Sequence, residues 1–371
     1  MRNALPLFVA LFSLLFAGRL PAQETVRIYC SLDQEHSEPL LRDFEKETGI
    51  KLETVFDTEA NKTVGLVRRL LAEKNEPYAD VYWNNELATT IKLKLAGVLQ
   101  AYKSKSAADI PAVFKDPDGH WTGFAARARV LIVNTNRVKP DEMPTTMWDL
   151  ADPKWRGKVA MARPQTGTTA THAAALYVLD SDEADRYFKA LIDNEVVWRP
   201  GNGHVMREVA DGLHAFGWTD TDDFHVALLA RKPVAKVYPD KGPDDLGVMY
   251  IPNSIMLIKG APNPAGAKRL IDWVLRPETE ARLAKSATAQ IPVRPGVAVP
   301  DHVRRPDQVG KTMAVDFLEV GRQYDRWVSH VQGHFSEAEA KSGSLPMIFL
   351  GVLVAAVLAF LLLKKATGEP T

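Results

Sequence analysis

Apolar positions in the body of this chain repeat every second residue in some stretches and every third or fourth in others, and the two kinds of stretch alternate. "TVRIYCSL" reads as a buried strand. The next segment, "EPLLRDFEKETG", carries Leu40, Leu41 and Phe44 on one helical face, with Ser37 placed to cap it and Gly49 to end it. "IKLETVF" alternates as a second strand, "NKTVGLVRRLLAEKN" is an amphipathic helix, "ADVYW" a short third strand, and "ELATTIKLKLAG" a helix closing on Gly97. Strands that alternate with helices predict βαβ units and a mostly parallel sheet covered on both faces.

The same grammar returns later. "GKVAM" is strand-like, "TTATHAAALYVL" helical, "HVMREVADG" helical with Asn202 as its cap, "LHAFGWT" a strand and "DDFHVALLARK" a helix. Between the two α/β regions runs a long strand, "ARARVLIVNT", and a second long apolar segment, "GVMYIPNSIMLIKG", precedes helices containing "PAGAKRLIDWVL" and "ETEARLAKS". Two crossings imply two lobes, the first completed by chain that returns from the second. The expected boundaries are residues 23–127 with 252–335 for lobe 1, 128–251 for lobe 2, and a linker at 336–344. Ligands of open α/β sheets bind at the carboxyl ends of strands, here in the cleft between lobes.

The ends of the chain add a compartment. After Arg2 comes a short apolar run and then "LPAQ", the layout of a secretory signal over residues 1–22, cleaved after Ala22, with an uncleaved anchor as the alternative. Residues 345–363, "LPMIFLGVLVAAVLAFLLL", carry no charge and are followed by Lys364 and Lys365, which predicts a transmembrane helix with residues 364–371 as a cytoplasmic tail. A tail that short holds no signalling domain. The body is therefore expected outside the inner membrane, tethered to it.

Composition narrows the partners. With 46 basic and 46 acidic residues the chain has no net charge, and no basic stripe marks a nucleic-acid surface. The single cysteine, Cys30, can form no internal disulfide. No HExxH, GxSxG or GxxxxGK[ST] motif is present, which argues against the corresponding hydrolase and nucleotide chemistries. A monomeric binding protein, not an enzyme, is the expectation.

One stretch concentrates charge. In "FGWTDTDD" an apolar strand ends in Asp220, Asp222 and Asp223. Acids in a first helical turn suit the helix dipole, and that alone could account for them. Asp33 and Glu86 also follow predicted strands, so the fold would bring five carboxylates toward one cleft, a set suited to a hard metal ion or to an organic amine. Trp83 and Trp218 are candidates for cation-π walls, or for core packing. "PQTGTT" has the makings of an anion cradle at a helix start, or of an ordinary turn. Arg127 and Arg129 alternate on the crossing strand, placed to brace the cleft or to face solvent, while His172, His204 and His225 fall in predicted helices, where metal ligation is the lesser reading.

Six segments in order, "IYCSLDQE" with "FEKETGIKLE", "ADVYWNNE", "WTGFAARARVLIVNT", "LADPKWRGKVAMARPQTGTT", "NGHVMREVADGLHAFGWTDTDD" and "AQIPVRP", give the chain its resemblance. It resembles the periplasmic ferric-ion-binding proteins of ABC importers, within the type II solute-binding family, from Thr25 to Pro300. The resemblance implies a two-lobed α/β periplasmic-binding-protein type II fold, each lobe a mostly parallel sheet flanked by helices, to which the C-terminal transmembrane helix would be added. Those proteins hold ferric iron with a histidine, a glutamate, two adjacent tyrosines and an anion, and pass it to a permease driven by an ATPase. Carried across, the histidine falls on Asp33, the glutamate and its neighbour on Asn85 and Glu86, and the tyrosine pair on Asp222 and Asp223. The anion loop falls on Thr166, Gly167 and Thr168, with Asn202 and Asp220 at two further anion-contacting positions. Each metal-ligand position differs in type from the family's. The implied metal ligands are Asp33, Glu86, Asp222 and Asp223, and the implied cargo is ferric iron or another hard cation. A phosphonate or organic amine is the alternative cargo, and a sensing subunit beside a separate membrane partner the alternative role.

Overall fold

Thr25–Cys30 (β1) opens the first lobe in the computed structural model, which describes residues 24–57 and 64–341. After β1 come Gln34–Thr48 (α1), Lys51–Phe56 (β2), Val64–Ala72 (α2), Val81–Asn84 (β3), Ala88–Leu95 (α3) and the short Leu99–Gln100 (β4). β1 pairs parallel with β2 on one side and β3 on the other, as the alternation predicts. Val26, Ile28 and Cys30 pack with Leu40, Leu41 and Phe44 of α1, so the apolar face read from the sequence is the one buried.

Thr122–Asn134 (β5) is buried along its whole length. The second lobe follows as Val159–Ala162 (β6), Gly167–Leu179 (α4), Ser181–Asp193 (α5), Val197–Arg199 (β7), Asn202–Ala210 (α6), Phe216–Asp220 (β8), Thr221–Leu229 (α7) and Val234–Val237 (β9). Tyr250–Ile258 (β10) then returns to the first lobe, followed by Pro264–Val274 (α8), Pro277–Lys285 (α9) and Phe317–Lys341 (α10). The strand order is β2-β1-β3-β10-β5-β8-β6-β7, with β4 on β10 and β9 on β5. Residues 122–128 of β5 pair antiparallel with β10, whereas 129–134 pair with β8 and β9, so one strand belongs to both lobes.

The changeover is marked by a bulge. Opposite Pro252 and Asn253, β5 advances from Ala126 to Phe124, leaving Ala125 as the extra residue at φ 43°. A side chain at positive φ needs outside support. Glu280 of α9 provides it, accepting the Ala125 N–H at 2.7 Å.

Two expectations at the C-terminus are corrected. Among the described residues no helix is long and apolar enough to cross a membrane, so the predicted transmembrane helix is not supported; residues 345–363, like the signal segment 1–22, lie outside the described residues. The second correction concerns α10, a helix of 25 residues that extends through Lys341 into the stretch read as a linker. It packs on α3 of the first lobe and on α4 and α5 of the second. Phe317, Val320, Tyr324, Trp327, Val328, Val331 and Phe335 are among its buried side chains. Three- and four-residue spacing of that kind is a helical signal. At Gly321 a side chain would run into Ile91 and the Ala88 carbonyl, so α10 lies close on α3.

Asp240, just past β9 at φ 58°, is 4% exposed and accepts the Met147 N–H at 3.0 Å. Burial pushes its carboxyl up to about 6. A carboxyl raised above its unfolded value costs stability once ionised, so this penalty grows as pH rises from about 4 to about 6 and persists above. Asp240→Asn keeps the acceptor and tolerates the left-handed backbone. It is expected to stabilise the protein by about 1–3 kcal/mol at pH 8 and by little at pH 4, measured as urea midpoints at the two pH values.

Candidate ligand cleft

Three β-to-α turns of the second lobe, after β6, β7 and β8, open on one side of the sheet and meet the turns after β1 and β3 of the first. Together they line a cavity of about 460 Å³ whose walls include Asp33, Asn85, Arg127, Thr166, Gly167, Thr168, Asn202, His204, Asp220, Asp222 and Asp223. Of the ten residues singled out from the sequence, Glu86 alone does not line it.

Asp220 stands at the N-cap position of α7 but makes no capping bond. One carboxylate oxygen accepts Arg129 Nη1 at 2.7 Å. The other accepts Thr168 Oγ1 at 2.6 Å and Asn202 Nδ2 at 3.1 Å. Asn202 Nδ2 also donates to Thr168 Oγ1 at 2.8 Å, and Thr169 Oγ1 donates to Asn202 Oδ1 at 3.0 Å. With Asp220 and Arg129 both buried, this knot ties β5, β8, α4 and α6. A buried carboxylate persists only when paired and hydrogen-bonded, and Asp220 is both. Asn202, expected as a helix cap, instead spends its amide on this knot, and Gly201 takes the N-cap position of α6.

Asp222 and Asp223 occupy the first turn of α7. One oxygen from each of Asp220, Asp222 and Asp223 lies within 4.8 Å of the others. Burial first, then the charges of Asp223 and Asp220, hold the Asp222 carboxyl well above the usual carboxylate range, against the pull of Arg127. That guanidinium lies 3.6 Å from Asp222, bonds the Asn85 carbonyl, and keeps a buried Nε without a hydrogen-bond acceptor. Asp223 accepts Thr219 Oγ1 at 2.8 Å. With Arg129 matched to Asp220, the cavity brings Asp33, Asp222 and Asp223 together with Arg127.

Across from them α4 begins at Gly167, with φ 63° and no atom within 4 Å of where a side chain would start. Thr166 at its N-cap position makes no capping bond. The first amides of a 13-residue helix thus open onto the cavity, the arrangement that suits an anion.

Glu86 turns inward. Fully buried, it accepts the Ala88 N–H at 2.6 Å, the Thr89 N–H at 2.9 Å and Thr171 Oγ1 at 2.7 Å. It caps α3 and, through Thr171 of α4, bonds one lobe to the other. Trp83 and Trp218 are core: Trp83 packs on Phe124 at 5.2 Å between ring centroids and Trp218 on His172 at 5.0 Å. Burial first, then the Arg129 charge, hold the His172 imidazole well below its ordinary range.

His204 lines the cavity although the sequence did not place it at the site, and its Nδ1 is buried without a hydrogen-bond partner. The short β7 is not evident from periodicity, so the turn after it could not be seen as a cleft loop. The proline and glycines of "RPGNGH" were its only signal.

Residues 40–309 match the family model described as "Bacterial extracellular solute-binding protein". The chain belongs to this family. The iron uptake protein A1 of Synechocystis sp. is 28% identical over 287 residues, covering 74% of this chain and 77% of that one. Iron-bound HitA from Pseudomonas aeruginosa superposes with a TM-score of 0.75 at 20% identity, over 83% of this chain and 99% of that chain. AfuA from Actinobacillus pleuropneumoniae, with fructose-6-phosphate bound, gives 0.73 at 25% identity, over 84% and 99%. The likeness to these two structures shows the shared two-lobed fold. This chain is accordingly a solute-binding protein and not an enzyme.

Proposed function

We propose that this solute-binding protein captures ferric iron, together with an anion, in its interlobe cleft and delivers it to the permease and ATPase of an ABC importer. The observation that carries the reading is the meeting of Asp33 from the first lobe with Asp222 and Asp223 from the second, opposite the open start of α4. Carboxylates are hard donors and favour hard cations. An anion at the α4 amides beside Arg127 would complete the coordination and balance the charge. Donors on both lobes mean that closure about the crossing strands forms the site. The name of the Synechocystis relative supports iron as the cargo.

A second reading rests on size. A cavity of about 460 Å³ also admits a small organic ion. An aminophosphonate would set its amine on Asp222 and Asp223 and its phosphonate on α4. Thermal melts of the purified protein with ferric citrate, manganese, calcium and 2-aminoethylphosphonate separate the two, because a ligand at about 100 times its Kd adds about 2.7 kcal/mol. A ferric response supports the first reading, and a response to the phosphonate alone replaces it. A carboxylate-held ferric complex should also lack the visible phenolate-to-iron absorption of a tyrosine site.

A further inference from the structure

Near the far end of α4, α5 and α10 bring together a second group of metal-ligand side chains. His330 and His334 lie one turn apart on α10, and both aim Nε2 at Asp185 of α5, at 2.9 and 2.8 Å from the same oxygen, Oδ1. Tyr177 donates its hydroxyl to that oxygen too, at 2.8 Å. Three donors converge on an atom with two lone pairs, while no hydrogen bond to Oδ2 is recorded among the described residues. Asp185, His330 and His334 thus present one carboxylate oxygen and two imidazole nitrogens to a single small volume.

We propose that Asp185, His330 and His334 form a binding site for a divalent transition metal, zinc above all, that fastens α10 to the second lobe. All three ligand atoms lie within 4.8 Å of one another. Tetrahedral zinc, with bonds of about 2.0–2.1 Å, needs ligands about 3.3 Å apart. The present contacts would open by about half an ångström, within the reach of side-chain torsions. Two nitrogens and one oxygen favour zinc, nickel or copper over the hard cations suited to the cleft. The fourth position goes to water, since the His330 side chain is 42% exposed.

The surroundings hold the ligands in place. Tyr177 would keep its hydrogen bond to Asp185, the outer-sphere contact that orients a metal-bound carboxylate. The same phenol stacks on Trp327 at 4.7 Å and meets the His330 ring edge-on at 5.3 Å. Among the described residues Asp185 has no lysine or arginine partner, unlike Asp116 and Asp118 beside His120, whose charge Lys94 takes at 2.5 and 2.9 Å. Tyr177 lies ten residues along α4 from Gly167, about 15 Å. The site is thus separate from the cleft. Because α10 also packs on α3, and Lys92 pairs with Asp325 at 2.7 Å, metal there would stiffen a helix that touches both lobes.

The test is zinc titration of the chelator-treated full-length protein, by calorimetry and thermal melting, with cobalt as a spectroscopic probe. We expect one equivalent bound in the micromolar range or tighter, a raised melting temperature, and cobalt d–d bands of tetrahedral intensity. His330→Gln with His334→Gln should abolish all three, and Asp185→Asn should weaken zinc at least tenfold while keeping the Tyr177 bond. Asp222→Ala with Asp223→Ala should leave the zinc response intact, so this site stands or falls independently of the cleft. Zinc binding undiminished in the double histidine variant, or octahedral-type cobalt bands in the unaltered protein, would overturn the proposal.

Discussion

Replacing Asp222 and Asp223 together with alanine is expected to weaken cation binding in the cleft at least 100-fold while changing the melting temperature of the empty protein little. Two unit charges about 4 Å apart interact by about 4 kcal/mol at the effective dielectric of a partly buried site. Desolvation of the ion returns part of that. Losing two such partners still exceeds the 2.8 kcal/mol or so that corresponds to a factor of 100. The empty protein loses the bond from the Asp223 N–H to Asp222 at 3.0 Å and the 3.6 Å pairing of Asp222 with buried Arg127, which keeps Asp220 at 3.9 Å. Asp223 gives up the Thr219 hydrogen bond, worth about 1 kcal/mol, and first-turn dipole energy of a few tenths. Asp222, crowded by Asp220 and Asp223 and partly buried, is relieved of repulsion when it goes. Calorimetric titration with ferric citrate, run beside thermal melts, measures both sides. A double variant that binds normally yet melts lower would show that the two acids serve only to start α7.

The strand-and-helix alternation was legible because each buried face follows from a local period, and β5 stood out as the long crossing strand. The acids were legible for a related reason: Asp33, Asp220, Asp222 and Asp223 each lie within a few residues of a strand's end, where this architecture opens its cleft. Their pairing was not. Arg129 meets Asp220 because those two residues are register partners across β5 and β8, and an antiparallel register between strands 91 residues apart leaves no local trace. Glu86 shows the same limit at a finer scale. It and Asn85 are adjacent in sequence, yet one faces the cleft and the other curls back to cap α3. α10 did carry its signal, in the spacing of Phe317, Val320, Tyr324, Trp327 and Val331. Its segment lies beyond the family match, which ends at residue 309, and its apolar spacing is weaker than the hydropathy of 345–363.

Glu280→Ala is expected to cost about 3–5 kcal/mol, the largest loss of stability from any single side chain considered, and its cause lies where the two lobes meet. Glu280 is fully buried. One oxygen accepts the backbone N–H groups of Ala125 and Val293 at 2.7 and 2.9 Å, and the other accepts Arg294 Nε at 2.7 Å. Truncation would orphan two buried amides, at about 1–3 kcal/mol each, and strip a buried guanidinium of its main counter-charge. Arg294 would keep only Asp109, at 2.6 Å on the surface side, and the carbonyls of Ser106 and Leu275. Glu280→Gln separates the two contributions. Its carbonyl can still accept the amides, while its NH2 would face Arg294, so an intermediate loss of about 1–3 kcal/mol is expected. Urea unfolding of the three proteins at one pH measures the series, and equal midpoints for Glu280 and its alanine variant would refute the account. The consequence reaches the cleft through geometry. Ala125 holds its positive φ with the help of this carboxylate, and three residues further along β5 changes lobes. An alanine variant that still folds should therefore bind ligand more weakly than its lost stability alone explains, because the strand on which the lobes turn no longer leaves the first lobe at a fixed angle.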